Sequence, residues 1–159
     1  MFPETKIKPS FMRRLIAIYG GYIMTRKEAR EQAFIIIFEK EFNSEYSLDE
    51  IIESAKEAEL FEADEFAVNI AKATLSDIEN LDSIISSNLK GGWKINRISK
   101  VSLAILRLAV CEMTKFNDIP VSVSINEAVE LAKKYAAEED SSFVNGLLSS
   151  VNKGMKADV

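Results

Sequence analysis

Apolar side chains recur at steps of three and four residues through most of the chain. A clear example runs from residue 67 to residue 85 and contains Ala67, Ile70, Ala71, Leu75, Ile78, Leu81 and Ile85. This spacing places the apolar side chains on one face of an α-helix. Only six glycines and three prolines occur in 159 residues, and no segment alternates with period two for long enough to demand a strand. The pattern predicts an all-α bundle of about six to seven helices.

Capping residues predict where the first helices begin. Thr25 is expected to cap a helix from about residue 26 to residue 42. Ser47 and Glu50 have the spacing of a capping box and predict a helix to about residue 60. Asp64 is expected to cap one long helix to about residue 89. The apolar run at 34–38 could alternatively be a strand, but its charged, helix-forming flanks favour a helix.

The second half begins at Gly91-Gly92, which is a natural helix stop. We predict two helical subdomains that share a core, 24–90 and 91–159. A connector at 93–99 is followed by a very apolar helix, about 100–116, which should be central. Ser124 and Glu127 predict a second capping box, and the last helix should span about 141–151. Trp93 is expected to anchor the connector against the core, and Gly146 to permit close helix packing.

The residue inventory argues against catalysis. The chain has no histidine, and Cys111 is its one cysteine, so His-dependent triads and an intrachain disulfide are excluded. It has no phosphate-binding loop, dinucleotide fingerprint or Cys-x-x-Cys pair. We therefore predict that the protein is not an enzyme and uses neither a metal nor a cofactor.

Residues 1–23 differ in composition from the rest, with four basic residues and one acidic residue. They could form a signal peptide, but Gly20-Gly21 interrupts the apolar run and no small-x-small cleavage site follows. Gly-Gly can be encoded by a stretch that resembles a bacterial ribosome-binding site. We interpret this segment as a leader extension that precedes a translation start at Met24.

A local basic cluster stands out because the whole chain carries a net charge of −5. Arg26, Lys27 and Arg30 share one arc of the first helix at about 100° per residue, whereas Glu28 and Glu31 point elsewhere. The arc lies at a helix start, where free N–H groups and the helix dipole favour anions. These three residues are therefore candidates for binding phosphates.

Five segments together resemble the NusB family in order and spacing: 24–33, 104–112, 119–120, 125–133 and 143–148. The resemblance covers residues 24 to about 152. It implies two packed helical subdomains in a cytoplasmic bacterial transcription antitermination factor. Such a factor binds the single-stranded boxA element of ribosomal RNA transcripts with a ribosomal protein partner, NusE. The complex then loads onto RNA polymerase, and some members of the family form homodimers.

The resemblance also suggests individual contacts. Phe143 occupies a motif position that the family uses near RNA, and a core position in the last helix is the alternative interpretation. Phe38 and Ser102 occupy positions that the family uses near NusE. Asn88 aligns where a family member presents an aromatic RNA contact. Lys90, Lys94 and Arg97 could extend the basic track, although solvated connector charge is the favoured explanation for these three residues.

Two other functions compete with this interpretation. One is a helical protein-interaction module that does not contact RNA, which the acidic net charge favours. The other is the NusB-like domain that precedes methyltransferase domains in rRNA cytosine methyltransferases. The sequence contains no S-adenosylmethionine-binding fold beside the helical region, so catalysis is not predicted for that alternative either.

Overall fold

The computed structural model describes residues 25–57 and 64–157, and within these ranges all regular secondary structure is helical. The α-helices are α1 (Arg26–Phe42), α2 (Leu48–Glu57), α3 (Glu65–Leu75), α4 (Ile78–Ser87), α5 (Lys100–Lys115), α6 (Val121–Tyr135) and α7 (Glu138–Ala157). This confirms the predicted all-α class. None of the described helices is long and apolar enough to cross a membrane. The predicted leader, 1–23, lies outside the described residues.

The chain divides into two compact units, and the division falls between Lys72 and Ala73. The predicted subdomain boundary at Gly91-Gly92 stays a prediction. In the first unit α1 packs against α2. The apolar face of α1 is buried throughout and consists of Ala29, Ala33, Phe34, Ile35, Ile36 and Ile37.

Side-chain caps set the helix starts in the first unit. Ser47 and Glu50 form the predicted capping box, in which the Glu50 carboxylate accepts the Ser47 N–H at 2.6 Å. Asp64 caps α3 by accepting the N–H groups of Phe66 and Ala67 at 2.9 and 3.2 Å. The fully buried Gln32 accepts the Asp64 N–H at 2.9 Å. This bond ties α1 to the start of α3.

The single long helix predicted from Asp64 is wrong, because α3 ends at Leu75 and α4 begins at Ile78. The hydroxyl of Ser76 donates to the Ala73 carbonyl at 3.1 Å, and the Asp77 N–H donates to the Thr74 carbonyl at 3.3 Å. Short polar side chains compete in this way with the helical hydrogen-bond ladder. The Asp77 carboxylate instead receives the Lys115 ammonium at 2.8 Å, and this bond lowers the pKa of Asp77.

Helix α5 is the centre of the second unit, as its composition predicts. It packs against α4, α6 and α7. Most of its side chains are buried, including Ala104, Ile105, Leu106, Leu108, Ala109, Val110, Cys111 and Met113. Cys111 therefore behaves as a small apolar residue, and burial raises the pKa of its thiol.

The second predicted capping box is wrong. Helix α6 begins at Val121 directly after Pro120, whose φ of −58° suits a helix start. Ser124 is consequently inside the helix, where its buried hydroxyl donates to the buried Glu112 carboxylate at 2.9 Å. Helix α7 is longer than predicted and opens on Glu138, Glu139 and Asp140, which suit the positive end of the helix dipole.

A buried carboxyl group lies on α1. Glu39 is 5% exposed and accepts a hydrogen bond from the Asn43 side chain at 3.0 Å. Loss of hydration raises the pKa of Glu39 from 4.5 to about 7, although the Asn43 bond opposes part of this shift. The folded chain therefore holds the proton on Glu39 more tightly than the unfolded chain does.

We expect Glu39 to make the stability of the chain depend on pH. Its contribution is fully present below pH 4.5 and is lost as the pH rises through about 7. Replacing Glu39 with Gln removes the cost of ionisation, so the stability of E39Q relative to wild type should improve by about 2–3 kcal/mol between pH 5 and pH 8. Urea unfolding at the two pH values measures this change. The exposed Glu45, replaced by Gln, is the control and should not show it.

Candidate nucleic-acid interface

The start of α1 carries the predicted basic cluster, and a capping box holds it. The Glu28 carboxylate accepts the Thr25 N–H at 2.7 Å, and the Thr25 hydroxyl accepts the Glu28 N–H at 3.2 Å. Two of the N–H groups at this helix end are thus already bonded, and a carboxylate lies beside them. The helix terminus is therefore less open to anions than predicted, and attraction for phosphate rests on the basic side chains.

Phe66, on α3, organises the two arginines of this cluster. The Arg26 guanidinium carbon lies 4.0 Å from the Phe66 ring centre, and that of Arg30 lies 5.8 Å away. Both contacts have the geometry of a cation–π interaction. Arg26 is exposed, whereas Arg30 is only 6% exposed. The helical wheel predicted that Arg26 and Arg30 lie on the same side of α1. It could not predict their contact with Phe66, which belongs to another helix.

Arg26 and Lys27 are the exposed members of the predicted arc. Neither forms an ion pair within residues 25–57 and 64–157. Within these ranges both charges therefore lack a carboxylate partner. Arg30 contributes mainly to the packing of its own unit, and a direct phosphate contact by Arg30 stays a prediction that its burial makes less favourable.

Phe143 lies in the second unit, where it is half-buried on α7 and lines a groove of about 400 Å³. One wall of the groove is the connector, which in the structure comprises residues 88–99 between α4 and α5, and the other wall is α7. Together they include Leu89, Lys90, Trp93, Phe143, Gly146 and Leu147. Most of the lining is apolar. Phe143 therefore matches each predicted alternative, a core position or an RNA contact, only in part, since part of its ring packs and part faces the groove.

Trp93 does not anchor the connector against the core, which corrects the prediction. Its side chain is 55% exposed and borders the groove. Gly146 is also exposed on the same groove, and a Cβ at this position would meet no atom within 4 Å. Close helix packing therefore does not explain Gly146.

The connector is held in place at its start by Asn88, and near its end by Ile98, whose side chain is buried. Asn88 donates to the Ile84 carbonyl at 2.8 Å and accepts the Ser150 hydroxyl of α7 at 2.7 Å. Gly91 and Gly92 follow with φ values of 65° and 74°, which glycine adopts far more readily than other residues. Asn88 thus joins the two walls of the groove and sets the position of the connector.

Lys90, Lys94 and Arg97 are exposed on the connector. They form no ion pair within the part of the chain that the structure describes. Arg107 is different, because its half-buried guanidinium binds Asp82 through two hydrogen bonds of 2.7 and 2.8 Å. The connector cations are therefore available to a ligand, whereas Arg107 serves the fold.

The two residues predicted to contact a protein partner differ in exposure. Phe38 is half-buried on α1; its ring stacks on Phe34 at 5.8 Å and meets the edge of Phe42 at 4.9 Å. Ser102 is 1% exposed, and its hydroxyl has no hydrogen-bond partner among the described residues. A direct partner contact is thus available to Phe38 but not to Ser102 in this conformation, and both roles stay predictions.

No cluster that could hold a metal ion, with three or more acidic or cysteine side chains, occurs among residues 25–57 and 64–157. The arrangement offers exposed cations and an aromatic groove instead. Those are groups that bind a strand of nucleic acid by phosphate contacts and base stacking.

Comparisons with known proteins agree with this chemistry. A model of the NusB family matches residues 27–153. The transcription antitermination protein NusB of Acetivibrio thermocellus is 44% identical over 131 residues, which are 82% of this chain and 90% of that protein. NusB of Listeria monocytogenes is 40% identical over 80% of this chain and 96% of its own length.

Solved structures are similar in fold. NusB of T. maritima gives a TM-score of 0.73 at 31% identity, covering 83% of this chain and 93% of its own. A crystal structure of the antitermination factors NusB and NusE in complex with double-stranded RNA gives 0.72 at 30% identity, with coverages of 81% and 96%.

The two arginines near Phe66 should differ in their effect on stability. Replacing Arg30 with Ala should lower the free energy of unfolding by about 1–3 kcal/mol, because a buried stem and a ring contact are both lost. Replacing Arg26 with Ala should cost only about 0.5 kcal/mol, since that side chain is exposed. Urea unfolding measures both values. Equal losses would contradict the assignment of Arg30 to packing.

Proposed function

The chain belongs to the NusB family, and on this basis we propose that it is a transcription antitermination factor. It binds boxA-type single-stranded RNA of ribosomal RNA transcripts together with a ribosomal protein partner, NusE. The observation that carries the proposal is the exposed Arg26–Lys27 pair, which is not neutralised by ion pairs within the described residues. Such a pair of exposed cations would bind the phosphates of a nucleic-acid strand.

The acidic body of the protein makes the partner important. Phosphate contacts supply most of the affinity of nucleic-acid binders, and a chain of net charge −5 offers few of them. Binding by the isolated chain should be weak, and the ribosomal partner adds further surface for the RNA. The similarity to a NusB that was crystallised with NusE and RNA supports this arrangement.

The other parts of the proposal follow from the family. The protein acts in the bacterial cytoplasm, joins the antitermination complex on RNA polymerase, and carries out no catalysis of its own. It requires no cofactor. Self-association into a homodimer is a further state in which the basic cluster is covered.

The first test reverses the charge of the exposed pair. The double variant Arg26→Glu, Lys27→Glu should bind boxA RNA at least tenfold more weakly in the presence of NusE, because phosphate contacts are lost. Each lost contact should also reduce the slope of log affinity against log salt by about 0.7. Fluorescence anisotropy at several salt concentrations measures both quantities.

Its control is Lys153→Glu with Lys156→Glu, which changes the net charge equally at exposed positions near the end of α7. If both double variants lose affinity equally, the effect comes from net charge and not from the α1 cluster. If wild-type protein with NusE binds no RNA, the RNA-binding proposal is wrong, and the result supports the alternative of a protein-interaction module.

The second test concerns the partner. Replacing Phe38 with Ala should weaken binding to NusE about tenfold, since aromatic residues often dominate interfaces. Calorimetric titration of NusE into each protein gives the affinities, and urea unfolding shows whether the variant is folded. Phe34→Leu is the matched control, because Phe34 is 2% exposed and touches the same ring. Unchanged NusE affinity in a folded Phe38→Ala variant would exclude Phe38 from the interface.

A further inference from the structure

We propose that the carboxyl group of Glu39 makes partner binding depend on pH, because the last turn of α1 holds Phe38 in its binding position only while that carboxyl is neutral. The complex with the partner should therefore form more tightly in mildly acidic than in mildly basic solution. This inference rests on the proposed binding of NusE at Phe38, and it adds a regulatory group to that surface.

The surroundings of the Glu39 carboxyl are the first observation. Glu39 follows Phe38 directly on α1 and is buried. Within residues 25–57 and 64–157 its carboxylate accepts one hydrogen bond, from the side-chain amide of Asn43 at 3.0 Å, and forms no ion pair. Burying a carboxylate without a cation and with one neutral donor is costly. The closed turn therefore favours the neutral acid.

The position of Glu39 along the helix is the second observation. It lies in the last turn of α1, where the free carbonyl groups make the helix dipole unfavourable for a negative charge. Lys40 is the basic residue of this turn, but its ammonium donates to the Ser44 carbonyl at 2.7 Å and to the Tyr46 carbonyl. Lys40 thus fastens the loop after α1 and does not neutralise Glu39.

The charged groups of the neighbouring elements do not compensate Glu39 either. In the first unit α1 packs against α2, whose described charged side chains are acidic and exposed: Asp49, Glu50 and Glu53. Glu45 in the loop is also acidic and exposed, and the Lys72 ammonium of α3 lies 3.6 Å from Asp49. Loss of hydration therefore dominates and raises the pKa of Glu39 to about 7, with Asn43 as the opposing cause.

The same turn positions the partner-binding side chain. The Phe38 ring meets the edge of the Phe42 ring at 4.9 Å, and Phe42 is the last residue of α1. The Asn43 amide that binds the Glu39 carboxylate also donates to the Glu39 backbone carbonyl at 3.1 Å and so closes the helix end. Ionised Glu39 gains hydration when this turn opens, and opening removes the support of Phe42 from Phe38.

The sign of the pH dependence follows from proton linkage. A partner that covers Phe38 needs the closed turn and removes further water from it, so the complex favours neutral Glu39 more strongly than the free chain does. Binding then takes up a proton wherever Glu39 of the free chain is ionised. The affinity is constant well below pH 7 and falls as the pH rises through about 7, by up to about tenfold per pH unit.

Calorimetric titration of NusE into the full chain between pH 6 and pH 8 tests the inference. Wild type should lose affinity with rising pH at least about threefold more than Glu39→Gln does, because the amide cannot ionise. Titration at pH 7.5 in two buffers of different ionisation enthalpy gives the protons taken up, and wild type should take up more than Glu39→Gln. Comparing the two proteins cancels the titration of groups on NusE.

Two further variants separate this role from general effects. Glu45→Gln is the matched control: it removes the same charge from an exposed position two residues after Asn43, and its pH profile should equal that of wild type. Asn43→Ala removes the hydrogen bond that lowers the pKa of Glu39, so the fall in affinity should move to higher pH. A loss of affinity in Asn43→Ala that is equal at every pH would contradict the inference.

The outcomes separate this inference from the proposed function. If NusE binds wild type and Glu39→Gln with parallel pH profiles and equal proton uptake, the role of Glu39 is wrong and the proposed partner site stands. If NusE binds neither protein at any pH, the proposed function fails and this inference fails with it. Urea unfolding of each variant at both ends of the pH range shows that the proteins being compared are folded.

Discussion

Burial of α5 is the constraint on which the second unit depends. This helix has so little polar surface that α4, α6 and α7 must each turn an apolar face toward it. Two of its polar side chains bind residues of neighbouring helices: Glu112 accepts the Ser124 hydroxyl, and Arg107 binds Asp82 at the edge. Because α5 is buried on several sides, the solvent-exposed surface of the second unit is formed by the elements around it. The groove and its cations accordingly lie on the connector and α7, outside the core.

The distribution of paired and unpaired charges explains how an acidic protein can bind a polyanion. Several carboxylates bind other groups: Glu28 accepts the Thr25 N–H in a helix cap, Asp82 binds Arg107, and Asp77 binds Lys115. Arg26 and Lys27 in the first unit, and Lys90 and Lys94 in the second, remain available among the described residues. Net charge therefore says little about binding here, since affinity depends on which charges are unpaired and exposed.

Sequence reasoning succeeded where the signal is local. Thr25, Ser47 and Asp64 all cap helices as predicted, because a cap is decided within four residues. It failed at Ser124, whose partner Glu112 is on another helix, and at Asp77, where Lys115 offers a competing bond. At both positions the side chain binds a residue on another helix, which no local pattern records, although Pro120 and Ser76 also provide local reasons for the helix ends.

The sequence by itself determined the all-α class, the central position of α5 and membership of the NusB family, because helical periodicity and extended motifs are written along the chain. Only the tertiary structure decided which candidate residues face solvent. A helical wheel places Arg26 and Arg30 together, but in the structure Arg26 is exposed and Arg30 is only 6% exposed, although both lie near Phe66 of another helix. The sequence predicted that Trp93 packs against the core, but in the structure its side chain is exposed. Exposure depends on what packs alongside a residue, and that is settled by contacts between distant segments.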